Sequence, residues 1–110
     1  MEQRLEDLPL RLDCSFRPWS YQVSHRRLVL RSAENTGSTE TIDIVFLDVV
    51  GMKIRVHYDE LLIAVAGDLT EIYEFVEVPG RHRSRYLNLI VSDGKHSGFV
   101  VCGALHLLRS

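Results

Sequence analysis

The sequence predicts a mostly β chain: a single antiparallel sandwich or small barrel of about 7–8 strands, or an α+β fold if residues 69–78 are helical. Three observations carry this. Apolar and polar residues alternate with period two along most of the chain. Turn-forming residues recur at short intervals between those stretches. The length, 110 residues, fits one domain spanning 1–110.

In the first segment, Leu8, Leu10, Leu12, Cys14 and Phe16 alternate with Pro9, Arg11, Asp13 and Ser15. That pattern sets one apolar strand face against one polar face. Pro9 lacks an amide donor, so the strand starts there or lies at a sheet edge. Arg17-Pro18 is expected to break it. Trp19, Tyr21 and Val23, then Leu28 and Leu30, fit a long or bulged strand from Trp19 to Arg31. The stretch from Ser32 to Thr39 reads as a polar loop.

Ile42, Ile44 and Phe46 define the next strand, and Met52, Ile54, Val56 and Tyr58 the one after. The two are expected to pair as a hairpin across Asp48 to Gly51. Leu61 to Ala66 follows as a strand. From Tyr58 to Val76, apolar residues also recur at helical spacing, and Asp68-Leu69-Thr70-Glu71 resembles a capping box. Gly67 and the β-branched Ile72 and Val76 favour a strand from Glu71 to Val78 instead. Pro79-Gly80 is a turn. Tyr86 to Ser92 and Gly98 to Leu108 are strands joined by Asp93-Gly94, a hairpin turn in which glycine takes a positive φ. The last strand is apolar on both faces, so it belongs in the middle of a sheet, under another layer, or in an oligomer interface.

Composition is that of an ordinary globular protein, with 45% hydrophobic and 25% charged residues. The formal charge of −2 gives no global basic field, which disfavours nucleic acid as a partner. The N-terminal segment lacks the basic-then-apolar pattern of a secretion signal, and no apolar run approaches membrane-spanning length. Two cysteines, Cys14 and Cys102, make no disulfide framework. These features together point to a cytoplasmic protein without a membrane partner.

The residues that could carry chemistry form no recognised catalytic set. His57 and Asp59 stand two apart on a predicted strand, where they could share a face, with His25 or His106 as a further ligand. A solvated histidine beside a solvated acid explains the pair more simply, so no metal site is assigned. Both cysteines fall on apolar faces and read as core. Adjacent acids such as Asp59-Glu60 point to opposite sides of a strand, so no acid–base pair is assigned. Gly94-Lys95-His96-Ser97-Gly98 lacks the order and context of a phosphate loop. No catalytic residue and no cofactor is expected.

Charge distribution is the most informative polar feature. Asp59, Glu60, Asp68, Glu71, Glu74 and Glu77 fall in a segment without Lys or Arg. Arg81, His82, Arg83 and Arg85 follow at once. Glu71, Glu74, Glu77, Arg81, Arg83 and Arg85 are therefore the candidate partner-binding residues, unless the two sets simply neutralise one another. Arg26-Arg27 forms a second, smaller basic patch.

The run Ile44-Val45-Phe46-Leu47-Asp48-Val49-Val50-Gly51-Met52-Lys53-Ile54, followed by Tyr58 and Leu61, and the later Tyr86 to Val91, Asp93-Gly94 and Gly98 to Ala104, resemble small bacterial domains that include immunity proteins of polymorphic toxin systems. The resemblance covers about the second half of the chain and assigns no functional residue. It implies a non-enzymatic cytosolic protein that blocks a toxin. The leading expectation is thus a protein-binding module, with homo-oligomerisation as a separate expectation. A small-ligand-binding barrel or sandwich lined by Trp19, Tyr21, Phe46, Tyr58 and Phe99 is the alternative, and an enzyme ranks last.

Overall fold

The structure is a computed structural model and describes residues 2–3, 7–33, 40–78 and 80–109. In chain order its strands are β1 (Glu2–Gln3), β2 (Leu10–Leu12), β3 (Phe16–Gln22), β4 (Arg27–Ser32), β5 (Ile42–Leu47), β6 (Gly51–Lys53), β7 (Leu61–Val65), β8 (Leu87–Ser92), β9 (Ser97–Cys102) and β10 (Ala104–Arg109). Helix α1 (Thr70–Phe75) and a 3-10 turn (Gly80–Arg85) separate β7 from β8. The strands form two five-stranded antiparallel sheets, ordered β1-β10-β5-β4-β3 and β2-β7-β8-β9-β6. The fold is sandwich-like with no closed barrel, and its strands outnumber the seven or eight expected. Among the described residues no helix is long and apolar enough to cross a membrane.

The main core lies between the sheets. Leu28, Leu30, Ile44, Phe46 and Leu105 from one sheet meet Leu61, Ile63, Leu89, Val91, Val100 and Cys102 from the other. These positions follow the period-two pattern that the sequence displays.

Several strand boundaries depart from expectation, and most do so for one reason: strands pass from sheet to sheet. The segment read as one strand from Leu8 to Phe16 is two. β2 pairs with β7, and after a three-residue break β3 begins in the other sheet at Phe16. Pro18 does not break β3, because β3 is an edge strand and needs partners on one side only. The register shifts between Pro18 and Ser20, a bulge at Trp19. The expected long strand from Trp19 to Arg31 is instead the β3–β4 hairpin, turning at residues 23–26.

The expected hairpin across Asp48 to Gly51 is absent, since β5 and β6 belong to different sheets. The chain crosses between them at residues 48–50. It crosses back between β9 and β10 at Gly103 alone, so the expected single strand from Gly98 to Leu108 is also two. The crossings lie side by side. Gly103 N–H donates to the Leu47 carbonyl (2.8 Å) and Val50 N–H to the Val101 carbonyl (2.9 Å). Leu47 pairs with Ala104 and Gly51 with Val101, so three residues face two at this corner. This is the bulged, strand-switching corner by which packed sheets are joined.

The run from Met52 to Tyr58 is a strand only as far as Lys53. Met52 and Ile54 pack on the core, but Val56 is 88% exposed. The chain folds back there: the Tyr58 hydroxyl accepts the Arg55 N–H (2.9 Å), and Tyr58 forms a two-bond bridge with Phe16. β7 matches its expected bounds closely.

Residues 70–75 are helical, which corrects the expected strand from Glu71 to Val78. An isolated helix of this length does not persist in water, so packing must hold it. Ile72 and Val76 are buried against Phe99 and Val101 on the outer face of β9, and Phe75 meets Phe99 edge-to-face with centroids 5.5 Å apart. Each such burial is worth about 1.5–3 kcal/mol. The helix therefore supplies the cover that the two-faced final strand requires. The expected capping box does not form: Leu69 is the N-cap residue, with no side-chain cap hydrogen bond. Asp68 accepts the Thr70 N–H (3.0 Å), but Glu71 pairs with Lys53 instead of reaching back.

The β8–β9 hairpin forms as expected, with Gly94 at φ 88°. Asp93 accepts the N–H groups of His96 (2.7 Å) and Lys95 (3.0 Å), which holds its carboxyl below the usual range. Most of the expected polar loop, residues 34–39, and Pro79 of the expected turn lie outside the described residues.

Gly98 offers the sharpest steric test. A Cβ at that position would run into the Lys53 carbonyl oxygen, which is backbone and cannot step aside. Gly98→Ala should therefore cost about 1–3 kcal/mol, read as a lower urea midpoint; an unchanged midpoint would refute the β6–β9 packing.

Candidate functional site

The candidate residues lie on α1, on the segment leaving it and on the 3-10 turn, and α1 packs on the outer side of the β2-β7-β8-β9-β6 sheet. Glu71 and Glu74 project from α1, Glu77 from the segment leaving it, and Arg81, Arg83 and Arg85 from the 3-10 turn. All six are exposed. α1 is placed by Ile72 and Val76, and the turn by Arg83, whose guanidinium lies 4.1 Å from the centre of the Tyr73 ring. That cation–π contact bridges the acidic and basic elements.

Among the described residues, no ion pair joins the acidic set to the arginines that follow it. Glu71 is engaged by Lys53 Nζ at 2.8 Å. Of the other acids in the segment, Asp59 meets His57 (2.9 Å), Glu60 meets Arg11 (3.3 Å), and Asp68 accepts the Thr70 N–H. Among the described residues, Glu74, Glu77, Arg81, Arg83 and Arg85 form no ion pair. The turn's internal bonds go to His82. Arg81 Nε donates to Nε2 (3.1 Å), and Arg85 Nη1 stands 3.5 Å from Nδ1. A neutral imidazole accepts at only one nitrogen, so His82 cannot satisfy both guanidiniums.

Between helix and turn runs an open groove of about 420 Å³ lined by Tyr73, Val76, Glu77, Val78 and Arg83. A void of about 10 Å³ adjoins it and reaches Ile72, Tyr86 and Val101, so the groove floor is continuous with the outer apolar cluster. A larger groove of about 570 Å³ lies at the β3 edge, beside Phe16, Arg17, Trp19, Arg31 and His57. Trp19 is 49% exposed there, with the guanidinium of Arg31 at 4.2 Å and that of Arg17 at 5.3 Å. Arg31 also forks Asp43 through two hydrogen bonds of 2.8 and 3.1 Å.

The aromatic set considered for ligand binding is dispersed. Phe46 and Tyr58 fill the main core, Phe99 belongs to the outer cluster, and Trp19 and Tyr21 are exposed. These five side chains do not line one cavity. His57 and Asp59 meet as a pair only, and among the described residues no three metal-ligating side chains converge. Arg26 of the second basic patch is taken up by an ion pair with Asp48. Both residues hold left-handed backbone (φ 50° and 54°), and the Arg26 carbonyl accepts the Val49 N–H (2.9 Å). That pairing escaped the sequence reading; an acid at the end of an apolar strand was its only signal.

Cys14 and Cys102 are free thiols. Burial pushes Cys14 up, and Cys102 up to about 12. A thiol whose folded value is raised is neutral in the native state while the unfolded chain ionises, so stability is retained below the ordinary 9.0 and falls as pH rises above it. Tyr58, also raised by burial, adds to the fall at higher pH. Cys102→Ala should flatten the decline in urea midpoint that begins near pH 9.0; an identical slope in the variant would refute the assignment.

Comparison of the chain with protein-family models, with curated proteins and with solved structures finds no match.

Proposed function

We propose that this chain is a non-catalytic protein-binding domain whose docking surface is the α1–basic-turn face. One observation carries the reading: Glu74, Glu77, Arg81, Arg83 and Arg85 stand exposed in one region with no ion pair among the described residues. Opposite charges close in sequence and space ordinarily offset each other at little cost. Left apart, they project a charge pattern that steers the encounter with a complementary partner.

The bacterial immunity resemblance gives this reading a particular form, in which the partner is a toxin and binding blocks it. Self-association has less support than the sequence suggested, because α1 already covers Phe99 and Val101.

The test is affinity capture with the wild-type chain and two charge-reversed triples, Glu71/Glu74/Glu77→Lys and Arg81/Arg83/Arg85→Glu. A specific partner identified by mass spectrometry should be retained by the wild type and reduced roughly tenfold or more in each triple, at unchanged melting temperature. Equal recovery by all three proteins would refute the assignment of this face.

A further inference from the structure

We infer that the groove between α1 and the basic turn takes a charge-patterned peptide segment of a partner protein. A basic residue would face Glu77, an apolar side chain would sit on the floor, and an acidic residue would face Arg83. This deepens the protein-binding reading and rests on it.

The decisive juxtaposition is that Glu77 and Arg83 line the same groove and yet form no ion pair. The groove is thus dipolar, with one charge of each sign available to an occupant. Beside these charges the groove is lined by apolar side chains, the half-buried Tyr73 and Val78 and the edge of the buried Val76, with the outer cluster beneath. Arg83 is pre-placed by the Tyr73 ring, so its fork reaches an incoming carboxylate with less ordering cost. A carboxylate accepts such forks bidentately.

The same charges select against other occupants. A nucleic-acid strand or an anionic lipid surface carries one sign of charge along its whole length. Glu77, in the same groove as Arg83, would repel it, which is selection by an unfavourable contact. A wholly basic segment would meet Arg83 in the same way. Only an occupant that changes sign across a short apolar centre complements both walls.

The experiment uses fluorescence anisotropy with a short synthetic peptide bearing lysines at one end, a leucine–phenylalanine pair in the middle and glutamates at the other end. Comparison probes are the same peptide with serines in the middle, an all-glutamate peptide and a single-stranded oligonucleotide. The patterned peptide should bind the full chain more tightly than every comparison probe. Glu77→Lys and Arg83→Glu should each weaken it roughly tenfold. The double swap Glu77→Lys/Arg83→Glu should shift preference to the peptide with its lysines and glutamates exchanged. The neutral variants Glu77→Gln and Arg83→Gln should weaken binding less, which guards against a merely unfolded variant. Absence of binding, binding indifferent to these substitutions, or equal binding of the all-glutamate peptide or the oligonucleotide overturns the inference. If the captured partner depends on the charged face while the patterned peptide fails, the groove assignment falls and the broader reading stands. A charge-independent captured partner instead removes the broader reading.

Discussion

Everything in this fold hangs on the corner where two neighbouring strands change sheets together. β5 passes to β6 through residues 48–50, and β9 passes to β10 through Gly103. Two backbone hydrogen bonds, Gly103 to Leu47 and Val50 to Val101, keep the pair laced through the bend. Because three residues oppose two, the core-facing parity changes on one strand and not on the other. Val100 and Cys102 face the core before Gly103, and Leu105 and Leu107 face it afterwards, while Ile44 and Phe46 before the crossing and Met52 after it share one parity, with Val49 reaching the core from the crossing itself. Without that slip, a one-residue error would turn one sheet's apolar face to water.

The corner also explains why the outer face of β9 needs a lid. β9 sits between β8 and β6 in its sheet, and its residues on the far side from the core, Phe99 and Val101, are as apolar as those within. The chain covers them with a helix too short to stand alone. That helix then carries the acidic residues, and the turn behind it the basic ones. The charged face is thereby tied to a packing requirement: the segment that must lie on β9 is the one that presents Glu74, Glu77 and Arg83 to solvent.

Much of this was legible in the sequence. The alternation of Leu28 and Leu30, of Ile44 and Phe46, and of Leu89 and Val91 gave the core, and Asp93-Gly94 gave its hairpin. The crossings were not legible, because alternation looks the same whether a strand stays in its sheet or leaves it. The one clue was the doubly apolar run around Gly103. Pro18 misled for a related reason: its missing donor is harmless at an edge, and edge position is a property of the whole sheet. At residues 70–75, Ile72 and Val76 argued for a strand by their branching, and tertiary burial overrode that preference. The charged cluster was visible as composition, but its lack of internal pairing was not, because Lys53, which takes Glu71, comes from β6, well before the helix in the sequence.

The edge at β3 has a consequence for the protein in a crowded solution. An open strand edge is a template on which another chain can extend the sheet, and such growth ends in insoluble polymer. Pro18 offers no donor there, and the bulge after it throws the row of backbone groups out of step. An intruding strand finds a ladder with a rung missing. The proline that looks like a flaw in the strand is therefore a guard against fibre growth along that side of the molecule.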